Sequence, residues 1–210
     1  MPIRKRRQSP PKFTNYRNYR PYLRIDCLYS CAYCEIFETE LNGEYSFHID
    51  HYWPKSVHRF AGLKNVYSNL LYTCETCNSI FKKAFFPSVI ERLAGKIVLN
   101  PFKHDVDAHI DRSKPEWKSK DPFGQFNIEL FHLDSFRNCR KRSLRIQSQR
   151  MLKNSILDLR RIEDDIRKAR GAGRRDLVFR LKTARNECLE VISDAKWLLG
   201  RKHGKEDFRR

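Results

Sequence analysis

Four cysteines stand in two matched pairs, Cys31-Ala-Tyr-Cys34 and Cys74-Glu-Thr-Cys77. A Cys-x-x-Cys turn holds two thiolates about one tetrahedral edge apart, so two such turns can close a structural zinc site. The interval between the pairs, residues 35–73, is longer than the ~15–20 residues of the simplest zinc ribbon. Something must therefore fold between the knuckles. That interval also holds Asp50 beside His51, then Asn69, and Asn78 follows directly after the second knuckle. A carboxylate such as Asp50 is a hard oxygen ligand for a divalent cation, Mg²⁺ or Mn²⁺. A neutral imidazole such as His51 can take a proton from water near neutral pH. Taken singly, each residue has a structural alternative: a packing histidine, a solvated aspartate, a loop asparagine, or a helix-capping Asn78. Cys27, Cys139 and Cys188 are left unpaired. Cys188 lies on the apolar face of the last helix and reads as core, whereas Cys27 is close enough to the first knuckle to compete as a ligand.

Elements must position these groups. Gly43 signals a turn, and Tyr45-Ser-Phe-His-Ile-Asp50 alternates like a strand that Pro54 ends. Tyr67 to Thr73 reads as a second short strand, and Asn78 to Phe85 as a short helix stopped by Pro87. Strict alternation would send Asp50 and His51 to opposite faces, so both can serve one site only if the first strand twists or ends there. Residues 101–135 read as irregular, punctuated by Pro101, Pro115, Pro122 and Gly124, with a strand expected over Gln125 to Leu133. From Phe136 the pattern becomes helical. Leu152, Ile156, Leu159, Ile162, Ile166 and Ala169 mark one apolar stripe. Leu177, Leu181, Ala184, Cys188, Val191, Ala195 and Leu198 mark another, beyond Gly171-Ala-Gly173. Two long helices joined by a glycine turn as an antiparallel hairpin follow.

The 210 residues suffice for one domain and an extension, and carry 43 Lys and Arg against 25 Asp and Glu, a net charge of +18. So large an excess points to a polyanionic partner, nucleic acid above all. Residues 1–24 are basic without an acidic residue, with Tyr16, Tyr19 and Tyr22 interleaved. This suits either a backbone-and-base contact surface or an arm packed on the domain. No apolar run can span a bilayer, and no apolar stretch follows the basic N-terminus, so the expected location is cytoplasmic, with no membrane partner. In a reducing compartment, paired cysteines read as metal ligands rather than disulfides.

The order Asp50-His51, Asn69-Leu, Cys74-x-x-Cys77-Asn78-x-x-x-Lys82 resembles the HNH (His-Me finger) endonuclease family, several members of which bracket the motif with two zinc knuckles. The resemblance covers about 60 residues. It implies a ββα-metal unit, with the Asp-His pair and central Asn on the strands and the helix starting near Asn78. It also implies phosphodiester hydrolysis in nucleic acid, duplex DNA above all. His51 would be the general base, Asn69 would brace the loop and orient it, and Asp50 and Asn78 would hold the catalytic cation. Asn78 stands where many relatives have histidine. Lys55, His58, Lys82, Arg140 and Arg142 are candidate phosphate contacts. His48 shares the parity of Asp50 and reads as a strand-surface histidine.

More loosely, Asp50-His-Tyr-Trp-Pro-Lys-Ser56, the Asn69 to Asn78 segment and Leu99-Asn-Pro-Phe-Lys-His-Asp-Val-Asp-Ala-His109 resemble HNH proteins of bacterial anti-phage systems, such as those with Septu or retron modules. That resemblance implies an ATPase partner protein and a defence role. The expected fold is thus α+β: a ββα-metal (HNH) core pinned by a four-cysteine zinc site, then a C-terminal helical hairpin. The expected divisions are a basic arm over 1–24, the nuclease core over 25–100, a connecting segment over 101–135 and a basic helical hairpin over 136–210. The alternative function is a non-catalytic zinc-ribbon module that binds nucleic acid.

Overall fold

The computed structural model describes residues 4–78 and 89–199. It has an α+β fold with small two-stranded sheets and long C-terminal helices. Two compact units meet between Arg142 and Ser143.

In the first unit, α1 (Arg20–Asp26) begins with Pro21 in its first turn, where no backbone N–H is missed, and buries Leu23 and Asp26. Strand β1 (Phe47–His51) pairs antiparallel with β2 (Leu70–Cys74), setting Phe47 opposite Cys74 and His51 opposite Leu70. Strand β2 is buried along its whole length, because α1 lies against it and Phe47 stacks on Tyr72 with ring centroids 4.9 Å apart. The second expected strand therefore starts at Leu70, after a 3₁₀ turn over Tyr67–Asn69. The helix expected over Asn78 to Phe85 lies outside the described residues beyond Asn78.

Three short helices follow: α2 (Val89–Leu93), α3 (Val106–His109) and, beyond the two-residue strands β3 (Ile110–Asp111) and β4 (Lys118–Ser119), α4 (Pro122–Phe131). The strand expected over Gln125 to Leu133 is thus a helix. Asp121 caps it, its carboxylate accepting the Gly124 N–H at 2.8 Å, and Pro122 opens it. Gly124 is required there: a Cβ would lie 2.0 Å from the His109 carbonyl oxygen. Helix α4 sends Ile128 and Phe131 into the same core as Leu23, Leu70, Leu71 and the knuckle cysteines.

The basic N-terminal segment is woven into this unit. Arg4 donates to the Ala32 and Cys31 carbonyls, each at 2.9 Å, and Arg6 to those of Tyr67 and Leu70 at 2.9 and 2.5 Å. Arg7 pairs with buried Asp26. These guanidiniums satisfy loop carbonyls that otherwise lose water on burial.

The second unit is the hairpin. Helix α5 (Phe136–Gly171), which enters from the first unit, and α6 (Arg175–Leu198) are joined by a turn in which Gly173 has φ 69°. Leu152, Ile192, Ala195 and Leu199 form its core, with Ile156, Leu159 and Cys188 packed against them. Cys188 Sγ donates to the Ser155 carbonyl at 3.0 Å, and Arg185 pairs with Glu163, so residue numbers rise on one helix as they fall on the other. The α6 seam runs through 188, 192, 195 and 199 rather than through Val191, which is 40% exposed. A strict seven-residue stripe drifts by ~20° per heptad around a straight helix, which shifts the seam by one position.

Candidate active site

His51 is the last residue of β1: one more bond follows in register, the Tyr52 N–H donating to the Asn69 carbonyl at 2.8 Å, but the Asn69 N–H turns to the Val66 carbonyl at 2.9 Å and the pairing stops. Released from the alternation, Asp50 and His51 are both buried and both border one cavity of about 820 Å³. His48, exposed on the strand, borders it as well, and Asn78 does so from the end of the second knuckle.

Each group has a support. The Tyr33 hydroxyl donates to Asp50 Oδ2 at 3.2 Å, and the Tyr33 ring stacks on Phe131, centroids 4.1 Å apart. Tyr33 is a middle residue of the first knuckle, so the cysteine cluster and the carboxylate are joined through one side chain. His51 Nε2 lies 3.0 Å from the Lys64 carbonyl. A carbonyl can only accept, so Nε2 carries the hydrogen and Nδ1 of the neutral ring keeps its lone pair. Tyr16 packs edge-on against the imidazole at 4.8 Å. Burial holds the His51 pKa below its ordinary value; the Lys64 carbonyl pulls the other way, and the charges of Lys55 and Lys64 reinforce the burial.

Asn69 fastens the loop that carries Lys64. Its Oδ1 accepts the Trp53 N–H at 2.8 Å, and its Nδ2 donates to the Trp53 and Leu63 carbonyls at 3.1 and 3.2 Å. Leu63 precedes the residue that holds His51. Removing a buried amide with three partners leaves those groups unsatisfied, at ~1–3 kcal/mol for each one that water cannot reach. An Asn69→Ala variant is expected to lose about 2–4 kcal/mol of stability in urea unfolding. A loss below about 1 kcal/mol would show that the loop is held by other means.

Asn78 donates its backbone N–H to the Cys74 carbonyl at 2.9 Å, while its buried side-chain Oδ1 has no hydrogen-bond partner among the described residues. An amide oxygen left so, on a residue that shares a cavity with the carboxylate of Asp50, suits a cation ligand.

The Sγ atoms of Cys31, Cys34, Cys74 and Cys77 all lie within 4.8 Å of one another, and all four residues are buried. Four sulfurs around zinc at about 2.3 Å stand about 3.8 Å apart, so the cluster fits a zinc ion. Burial raises the Cys31 thiol, but hydrogen bonds from the neighbouring thiols outweigh this and hold it well below its usual range. Cys27 is buried in the core and is not one of the cluster.

Lys55 borders the cavity and donates to the Tyr16 hydroxyl at 3.1 Å. His58 is exposed and does not border the cavity, Arg140 is exposed on α5, and Lys82 lies outside the described residues. Arg142 is not the surface cation expected. It is buried, donates to the Leu133 and Asn138 carbonyls, and stacks over Trp117 at 4.0 Å. Sequence reasoning missed Arg92 and His104, which border the cavity from beyond the second knuckle. It noted Tyr16, Arg17 and Arg20 only as part of a basic, aromatic arm, yet they form another wall.

Residues 31–82 match the HNH endonuclease family and form an HNH endonuclease domain. The chain is also a weak homologue of the Septu protein PtuB of Bacillus mycoides (strain KBAB4). The two are 25% identical over 152 residues, 61% of this chain and 50% of that protein. The chain thus spans about half the length of the curated relative it matches. No solved structure matches the chain. Among the described residues, no helix is long and apolar enough to cross a membrane.

Proposed function

We propose that this chain is a metal-dependent endonuclease that hydrolyses phosphodiester bonds in duplex DNA, with a zinc ion in its four-cysteine cluster. One observation carries the reading: Asp50, His51 and Asn78 border a single cavity, and the buried Oδ1 of Asn78 has no hydrogen-bond partner among the described residues. A module that merely binds nucleic acid needs no such convergence. Asp50 Oδ and Asn78 Oδ1 are the groups that would hold a Mg²⁺ or Mn²⁺ ion. When bound, that cation neutralises charge on the phosphate and on the leaving 3′ oxygen. His51 Nδ1 accepts the proton of the attacking water, and the Lys64 carbonyl keeps the ring turned for that task. Asn69 acts on His51 through the loop, as a positioning residue. Lys55, Arg17 and Arg92 on the cavity wall offer charge to flanking phosphates, and the overall +18 draws the polyanion in. The similarity to a Septu protein supports a place in anti-phage defence beside an ATPase partner, and a site in the cytoplasm where invading DNA is met.

Supercoiled plasmid incubated with the protein and Mg²⁺ or Mn²⁺ is expected to be cut, and EDTA to stop the cutting. Asn78→Ala is expected to raise the divalent-ion concentration needed for half-maximal rate by on the order of tenfold or more, since even outer-shell changes act on that scale. Binding without cutting under every metal condition, with and without an ATPase and nucleotide, would sink the nuclease reading. An unchanged metal requirement in Asn78→Ala would remove Asn78 from the ligand set.

A further inference from the structure

His104 lies outside the HNH match, yet it borders the cavity of Asp50, His51 and Asn78. It is held there by a tight turn. Asn100 is fully buried, its carbonyl accepts the Lys103 and His104 N–H groups at 3.0 and 2.8 Å, and its Oδ1 accepts the Phe102 N–H at 3.0 Å. The Asn100 N–H in turn donates to His104 Nδ1 at 2.9 Å. A nitrogen that accepts cannot carry the ring hydrogen, so the neutral imidazole bears it on Nε2. Burial, with the charges of His109 and Lys103, lowers the His104 pKa and favours that neutral form. Nδ1 is tied to the turn, so the outer edge of the ring, which carries Nε2–H, is left to meet the cavity. A fixed neutral donor suits an anionic oxygen and is unsuited to act as a base.

We propose that His104 binds a non-bridging phosphate oxygen of the nucleic-acid substrate through Nε2–H. This rests on the nuclease reading of the same cavity. The competing role is a staple, in which His104 only closes the turn through Nδ1.

Two substitutions separate the roles. His104→Asn keeps an acceptor where Nδ1 stands and removes the outer donor. His104→Gln places an amide N–H near the position of Nε2 and gives up the inner acceptor. Both are made in a His51→Gln background, which can keep the tether to the Lys64 carbonyl, and binding of a fluorescent duplex oligonucleotide is read by anisotropy with Mg²⁺ present. A hydrogen bond to a charged oxygen predicts that His104→Asn weakens binding by about ten- to a hundredfold at an unchanged melting temperature, with His104→Gln retaining more of the affinity. Parental affinity in His104→Asn overturns the proposal, as does a loss that merely follows a lowered melting temperature. Because the assay reads binding, it decides on His104 even where the parent fails to cut. A parent that does not bind duplex at all brings down both the nucleic-acid reading and this proposal.

Discussion

A Cys34→Ser variant is expected to lose its zinc and, with it, the folded HNH core. Cys34 and Cys74 Sγ stand 3.6 Å apart although 40 positions separate them, so an ion held by the cluster would fasten the first knuckle to the end of β2. A two-stranded hairpin is marginal alone. Structural zinc contributes ~10–16 kcal/mol in small metallo-domains, as much as the ~5–15 kcal/mol that separates a whole domain from its unfolded state. A three-ligand site that kept half of that free energy would still give up about 5–8 kcal/mol. The effect reaches the chemistry as well, because Tyr33, between the first two cysteines, donates to Asp50. Metal analysis of the purified protein and a thermal melt check this. Cys139→Ser serves as the control, its half-buried thiol donating to the Asp134 carbonyl and accepting from Arg142, contacts a serine hydroxyl can also make, and should keep zinc with a stability change within about 1 kcal/mol. One zinc per chain and an unchanged melt in Cys34→Ser would refute the assignment.

The fold was legible where residue type alone dictates geometry. Two Cys-x-x-Cys turns of equal spacing can be satisfied together in few ways, and the structure brings their sulfurs into one cluster. The long helices were legible because a three-four apolar rhythm sustained over many turns has no other solution. The stretch 125–133 was misread because Phe126, Ile128 and Leu130 alternate over too few residues to tell period 2 from period 3.6. Asp121-Pro122, a capping residue followed by proline, was the signal that decides it.

Within the site, Asp50, His51, Asn69 and Asn78 were marked by their order, while their neighbours were not. Arg142 and Arg140 are two positions apart on one helix and look alike in sequence, but one is buried beneath Trp117 and the other is exposed. Basic residues carry no sign of whether they meet solvent or a buried carbonyl, and Arg4 and Arg6 show the same ambiguity. His104 was hidden for another reason. The turn closed by Asn100 is local, but its approach to the cavity of Asp50 and His51, about fifty positions earlier in the chain, is a long-range arrangement that no local period encodes.

Replacing His51 is expected to have the largest effect on activity, and the choice of replacement decides what is learned. Alanine removes the proposed base at Nδ1, the donor to Lys64 at Nε2 and the ring against which Tyr16 packs. A fall in rate could then reflect a collapsed wall as readily as a missing base. Glutamine keeps an N–H near the place of Nε2, and so can keep the tether to the Lys64 carbonyl, but offers no basic nitrogen in place of Nδ1. A general base accounts for about 10²–10⁴-fold in rate. Both His51→Ala and His51→Gln are therefore expected to cut plasmid about 10²–10⁴ times more slowly under single-turnover conditions with Mg²⁺. Substrate affinity and zinc content should stay near those of the parent, because the proton transfer matters only as the transition state forms. If His51→Gln instead cut within about tenfold of the parent while His51→Ala did not, the ring would be a structural prop, and the base would have to be sought elsewhere on the cavity wall, with His48 the first group to test.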